Sequence, residues 1–475
     1  MDVKQFLRDN RTDVLIFVIL LILGIATRFL GISYQSLWRD EGATYYYSHL
    51  ILDEYLHAGE PNSPVYYLMQ GYVIDGLGHS EFAVRVLSAI AGALSVPLIY
   101  VLSQKLFSNR YVSVFTAALL LISPMAIEYS QEGRGYALMV FFFICQMIIV
   151  LQALEKRGWR WWIFLSVVSA VNFAMQYMSI LATFTVYSYA LFAMRKEIAA
   201  KDLKGTVKAA SSGILALILC APLINFAYNA GKTSSSNEHW DWCTIGPDYL
   251  REVLTNFLFD IDFLILVIVV ILGTFLAIRA DREKGYLLCW IVLVPLTLTT
   301  VASYMMNMTP RYVIWVYTGM YMMMGCSILA LADNDKKKLN RNAVVAGILI
   351  LSLVLISTVP YYSEITKTDF RGGCQALEEN VQEGDLVLYA PPWENMVYGT
   401  IEFYFDPTDV GATAERVSTN EELLAYIASA SGTVYVVIEQ EYDPYTLLTE
   451  STSPNCQKIH EGYWITVWKI TGPIA

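Results

Sequence analysis

Through most of its first 360 residues the chain runs in apolar stretches of about 20, each able to cross the ~30 Å core of a bilayer as a helix. Cut at charged and Pro/Gly-rich breaks, they give about eleven spans, near 13–31, 83–104, 110–127, 135–154, 160–176, 178–195, 208–228, 262–279, 285–304, 311–332 and 342–361. The stretch from Trp161 to Met194 is the hardest to divide. Only Asn172, Gln176 and Tyr177 interrupt it, so it reads either as two spans or as one long helix with a re-entrant piece. The first run lies behind Lys4, Arg8 and Arg11 and ends in Arg28-Phe29-Leu30-Gly31 with no small-residue cleavage site, the pattern of a retained span rather than a leader. From Ser363 the period changes. Strand-like pieces at 385–390, 433–438 and 463–468 alternate with helix-like ones at 395–405 and 421–430. The fold expected is a polytopic all-α membrane domain over 1–362, with its first outer loop at 32–81, followed by a small soluble α/β domain over 363–475.

Charge orients this arrangement. With the N-terminus in the cytoplasm, 20 of the 32 Lys and Arg fall in cytoplasmic loops, seven in outer loops or near outer helix ends, and five in the tail. Positive charge collects on the inner side, so the N-terminus is expected inside, and an odd number of spans leaves the tail extracytoplasmic. That tail holds 18 acidic and 5 basic residues, more than accounting for the net charge of −11. Such a surface argues against nucleic acid and against anionic headgroups as its partners. Composition agrees: 56% hydrophobic and 16% charged residues, with a mean hydropathy of +0.45, exclude an ordinary soluble enzyme. The tail carries no GxGxxG or P-loop. Seven cysteines form no CxxC pair; Cys145, Cys220, Cys289 and Cys326 fall inside spans as packing, while Cys374 and Cys456 could pair in the tail.

The polar residues that an apolar membrane cannot explain gather toward the outer side. The first is Ser36-Leu37-Trp38-Arg39-Asp40-Glu41. Two adjacent carboxylates repel, and burying both requires a cation, a donor or a proton. The pair suits a general base or a metal site, or else simply caps a helix over 43–52. Further on, Glu60-Pro61-Asn62-Ser63-Pro64-Val65-Tyr66-Tyr67 fixes the backbone with two prolines before an interfacial aromatic pair. In the short second outer loop, Glu132 and Arg134 stand two residues apart. They form either an exposed ion pair of little worth, or a site carboxylate beside a guanidinium that grips phosphate bidentately. Thr309-Pro310-Arg311-Tyr312 opens the tenth span, with Arg311 a headgroup anchor or a site cation. Asp260 and Asp262 lie near the start of the eighth, where spacing decides nothing.

In this order the clusters resemble the type-C membrane glycosyltransferases, in the protein O-mannosyltransferase and aminoarabinose-transferase-like branch. The likeness runs from Ser36 to about Gly158, through Ser-Leu-Trp-Arg-Asp-Glu, Asn62-Ser-Pro-Val-Tyr-Tyr, Ser80-Glu-Phe-Ala-Val-Arg and Tyr129-Ser-Gln-Glu-Gly-Arg-Gly-Tyr, and reappears at Pro310-Arg-Tyr. It implies a cell-membrane enzyme that moves a sugar, with inversion, from a polyprenyl-phosphate carrier to a protein, lipid or glycan acceptor on the outer face. It makes Asp40 the catalytic carboxylate, supported by Glu41 and Glu132. Arg134, Arg311 and Arg85 become donor-phosphate ligands, and Glu60, Asn62, Tyr66, Tyr136 and Tyr312 substrate contacts. No metal ligand is assigned and no cofactor is expected to be obligate, although a divalent Mg or Mn ion would suit the acidic group.

Two departures stand out. The family commonly has His-Pro-Pro where this chain has Asn62-Ser63-Pro64, which removes a proton carrier or ligand. It has Glu-Ala-Arg-Pro-Tyr where this chain has Glu132-Gly133-Arg134-Gly135-Tyr136, whose glycines would loosen the second loop. Trp393, Tyr398, Tyr404, Trp464 and Trp468 could stack on a sugar or pack the tail's core, and Ser234 to Trp242 is a further acceptor-side candidate. The competing class is a polytopic lipid or glycan transporter or flippase. Ionisable residues at one face rather than the midplane, and no inverted repeat, count against it.

Overall fold

The computed structural model describes residues 10–50, 63–234, 243–257, 263–331, 341–390, 394–417, 419–439 and 455–472. Its main helices are, in chain order, α1 (Arg11–Phe29), α2 (Arg39–His49), α3 (Pro64–Leu77), α4 (Glu81–Phe107), α5 (Arg110–Ile122) and α6 (Pro124–Glu128). Then come α7 (Tyr136–Lys156), α8 (Trp159–Met175), α9 (Ser179–Ala193), α10 (Lys204–Ser234), α11 (Pro247–Phe257) and α12 (Phe263–Ala280). The last are α13 (Arg282–Ala302), α14 (Val316–Cys326), α15 (Arg341–Ser363), α16 (Phe370–Glu378), α17 (Glu394–Tyr404) and α18 (Asn420–Ser429). The strands are β1 (Leu386–Ala390), β2 (Thr413–Arg416), β3 (Val434–Glu439), β4 (Cys456–Gly462) and β5 (Ile465–Ile470).

All eleven expected spans fall on helices. Among the described residues five helices, Arg11–Phe29, Glu81–Phe107, Tyr136–Lys156, Lys204–Tyr228 and Arg282–Ala302, are long and apolar enough to cross a membrane unaided, and five shorter apolar helices accompany them. The contacts divide the chain into two compact units. The helical unit takes residues 1–30, 55–66 and 86–362; the sheet unit takes 31–54, 67–85 and 363–475. The tail therefore shares a unit with most of the first loop, and the boundary near 362 is only one of several crossings.

The helical unit has one continuous apolar core, with Phe143, Trp315, Tyr321 and Met324 fully buried. Polar side chains tie its helices together. Gln146 donates to Ser169 Oγ at 2.8 Å and Thr183 Oγ1 at 2.9 Å, and Asn172 donates back to Gln146 Oε1 at 3.2 Å. These bonds join α7, α8 and α9, and α8 and α9 are distinct helices broken at Gln176, whose backbone is extended. Asn109 caps α5 by accepting from the amides of Tyr111 and Val112, and Asp281 caps α13 in the same way.

The break between α5 and α6 falls at Ser123-Pro124. Proline has no amide to offer, so carbonyls at the end of α5 lose their helical partner. Arg28, fully buried, supplies one set of donors: Nη2 to Leu120 O at 2.7 Å and Nη1 to Leu121 O at 2.5 Å. Thr358 Oγ1 donates to Ile122 O at 2.5 Å. An arginine expected near an outer helix end is thus drawn into the core to cap a broken helix.

In the sheet unit the strand order is β2-β1-β3-β5-β4, with β1 parallel to both β2 and β3 and β5 antiparallel to β3 and β4. This is the α/β domain expected of the tail. Alternation along β1 and β3 sends Val387, Tyr389, Tyr435 and Val437 to one apolar layer and Leu388, Val434, Val436 and Ile438 to the other. Cys374 packs in the first layer and Cys456 against the second, so both remain free thiols. Burial raises both thiol pKa values, which leaves them mostly protonated. Helices α2 and α17 meet at two glycines: a Cβ at Gly399 would lie 2.6 Å from Gly42 O, and one at Gly42 would run into Thr400. Leu37, Ile74, Ala83, Val84 and Phe403 close an apolar cluster beside that crossing.

Candidate active site

Helix α2 begins at Arg39 with Trp38 as its N-cap, which puts Asp40 and Glu41 in the first turn rather than at the cap. Backbone amides there favour negative charge, and Glu41 Oε2 accepts from the Trp38 amide at 3.4 Å. Both carboxylates are buried, Asp40 at 5% and Glu41 at 0% exposure. Burial at that level requires compensating cations, and the sheet unit contains two. Arg85 Nε and Nη2 donate to Glu41 Oε1 and Oε2, each at 2.7 Å, and Lys367 Nζ donates to Oε2 at 3.0 Å.

The rest of Arg85 is engaged as well. Nη1 donates to the carbonyls of Ile32 at 2.7 Å and Gln35 at 2.8 Å, and Nη2 to that of Ser36 at 2.9 Å. Its five N–H groups thus have five acceptors. This arginine, expected on donor phosphate, thus holds the loop and Glu41 with all five of its N–H groups. Glu41 is gripped on both oxygens.

The loop before Asp40 is fastened to the segment that follows α15. Gln35 Oε1 accepts from the amides of Thr366 at 3.0 Å and Lys367 at 2.9 Å and from Thr366 Oγ1 at 3.0 Å. Ser36 Oγ donates to Thr368 O at 2.6 Å. Glu81 accepts from Arg371 and, at 2.5 Å, from Tyr404 Oη, which itself accepts from the Leu37 amide at 2.6 Å. Burial, with Glu81 adding to it, pushes the Tyr404 hydroxyl far above its ordinary pKa. Tyr404 therefore serves as a bridge rather than a sugar platform. Trp468 is packed in the sheet's second layer, and Trp464 is part-exposed at 38%. The partnerships of Gln35, Lys367, Arg371 and Tyr404 leave no local signal, because their partners lie some 290 to 370 residues away.

The second group belongs to the helical unit. The loop after α6 is not an exposed ion pair: Gln131, Glu132 and Arg134 are 4%, 2% and 6% exposed. Gln131 Nε2 donates to Arg28 O at 3.0 Å and Leu30 O at 2.7 Å, and its Oε1 accepts from Tyr361 at 3.1 Å. Ser88 Oγ donates to Arg134 O at 2.8 Å. Gly135 gives close packing instead of looseness, since a Cβ there would stand 2.5 Å from Met175 O. Arg311 lies in a 3-10 turn, Pro310–Val313, its guanidinium 5.7 Å from the ring centre of Tyr136. Tyr136 and Tyr129 pack edge to face at 5.4 Å. Tyr66 is buried, and Tyr312 is part-buried against the core.

Glu60, Asn62, Asp260, Asp262, Trp393 and the 235–242 stretch lie outside the described residues. Among the described residues no three His, Cys, Asp or Glu side chains gather as a metal would need.

This arrangement can be set beside known proteins. Residues 60–226 match the family model described as dolichyl-phosphate-mannose-protein mannosyltransferase. No curated protein matches the chain. Among solved structures, ArnT from Cupriavidus metallidurans in the apo state aligns at TM-score 0.61 and 12% identity, over 96% of this chain and 97% of that one. The same protein bound to undecaprenyl phosphate aligns at TM-score 0.60 and 12% identity, over 97% and 98%. The resemblance read from the sequence is therefore met by a family model over part of the chain and by a shared fold over nearly all of it.

Proposed function

We propose that the chain is a membrane glycosyltransferase that moves a sugar from a polyprenyl-phosphate carrier to a protein, lipid or glycan hydroxyl at the outer face. The observation that carries this is the acidic pair on α2: Asp40 and Glu41 are both buried in the first turn of the helix, and Glu41 is held there by Arg85 and Lys367. The mannosyltransferase family model supports the reaction class, and the ArnT fold, seen elsewhere with undecaprenyl phosphate, supports the donor class.

In the reaction Asp40 takes the proton of the acceptor hydroxyl as its oxygen bonds to the anomeric carbon. The bond from that carbon to the phosphate oxygen breaks on the opposite side, inverting the configuration, and its electron pair leaves with the carrier phosphate. Charge building on that phosphate needs cations, and Arg134 and Arg311 are the assigned pair. Glu132 supports the site, and Glu60, Asn62, Tyr66, Tyr136 and Tyr312 are its proposed substrate contacts. The reading has eleven membrane crossings with the N-terminus inside, supported by apolar helices in the expected stretches and by the Lys/Arg bias. The tail then lies outside.

The test is release of free polyprenyl phosphate by purified protein in lipid from a panel of polyprenyl-phosphate sugars. Asp40→Asn is expected to reduce turnover by about 10²–10⁴ with donor binding kept. Undiminished turnover would remove Asp40 as base, and absence of turnover with every donor, with acceptor extract and divalent ions added, would overturn the reading.

A further inference from the structure

Resting on that reading, we infer that Lys367, delivered by the segment joining α15 to the tail, is a positioning residue for the catalytic carboxylate. Three observations lead to it. The first is charge. Glu41 is fully buried, and two cations meet it there: Arg85 on both oxygens and Lys367, 8% exposed, with Nζ 3.0 Å from Oε2.

The second is how the lysine is held. Its own amide and that of Thr366 donate to Gln35, and the next carbonyl, of Thr368, accepts from Ser36. Both partners precede the Asp40 turn by only a few residues, so the segment that carries the cation also fixes the start of α2. The third is division of labour. Arg85 spends three of its five donors on the carbonyls of residues 32, 35 and 36 and grips both oxygens of Glu41. Lys367 adds a second cation on Oε2 from a different part of the chain. With both in place Glu41 is held from two parts of the chain, and with it the first turn of α2, which carries Asp40 one residue earlier.

The experiment compares Lys367→Met and Lys367→Arg with wild type, measuring kcat for polyprenyl-phosphate release and the donor Kd separately. Lys367→Met is expected to lower kcat about ten- to hundredfold with donor Kd within about twofold, and Lys367→Arg to recover most of the loss, because a guanidinium also supplies charge and donors. Should Lys367→Met fail to fold, the cycle with Glu41→Gln decides: in that background the charge contact at position 41 is already gone, and Lys367→Met should cost little further. Wild-type kcat in Lys367→Met, loss not recovered by arginine, loss of donor binding in step with kcat, or a full additional loss in the Glu41→Gln background would each overturn the positioning role. Wild-type protein inactive on every donor would instead sink the transferase reading, and the role of Lys367 with it.

Discussion

Asp40 and Glu41 are neighbours with the same side-chain chemistry, and Arg85 and Lys367 both close on Glu41. Two carboxylates on one helix turn look equivalent in a sequence; only their partners separate them, and those partners arrive from residues 85 and 367. The dipeptide is visible in the sequence, but nothing local reports that the carbonyls of Ile32, Gln35 and Ser36 turn toward Arg85, which sets a holding role against the phosphate role first expected of it. This distinction gives a measurement. Removing Arg85 as Arg85→Met takes from Glu41 the cation that meets both its oxygens and strands three carbonyls. The expected result is a loss of about 3–5 kcal/mol of stability, the cost of breaking a buried ion pair, read as a lowered Tm. Arg85→Lys should lie between, keeping charge but losing the fork. A phosphate-binding arginine would behave otherwise: Arg85→Met with wild-type melting and a weakened donor Kd would restore the first assignment.

Among the elements, hydropathy was the dependable signal, since each expected span lands on a helix. What hydropathy cannot show is where a helix breaks inside an apolar run and what then satisfies its carbonyls. Gln176 divides α8 from α9 in a stretch that also reads as one helix, and the bonds that accompany this division join Gln146, Ser169, Asn172 and Thr183, spread over three helices. At Ser123-Pro124 the proline is visible in sequence, but the cap is Arg28, about 90 residues away. That cap predicts an order of effects. Arg28→Met strands the carbonyls of Leu120 and Leu121, at about 1–3 kcal/mol for each buried group left unpaired. Thr358→Val strands only that of Ile122. Thermal melting in lipid should therefore show Arg28→Met well below Thr358→Val, and equal melting of the two would mean that Arg28 is not what holds the break.

For the whole molecule, the tail and most of the first loop are parts of one compact unit. Sequence suggested a clean division near residue 362, because composition and period change there. Contacts obey packing instead: Leu37, Ile74, Ala83 and Val84 have Phe403 as an apolar partner, α2 crosses α17 at Gly42 and Gly399, and Glu81 is held by Arg371 and Tyr404. A chain cut after Tyr362 would keep the helices of the helical unit but remove these partners and Lys367 together. The expected outcome is a membrane-inserted protein with no measurable polyprenyl-phosphate release, in which residues 39–49 have become open to protease while the full chain protects them. Cutting instead after Glu439 would leave α2 its partners on α17 and in the 366–371 segment but strip β4 and β5 from the sheet, whose β5 side chains Ile465 and Val467 fill the first apolar layer. That protein should lose stability before it loses the local bonds around Glu41, so residual turnover at low temperature should exceed that of the shorter chain. Equal activity of the 1–362 chain and the full chain would mean that the first loop holds its shape without the tail.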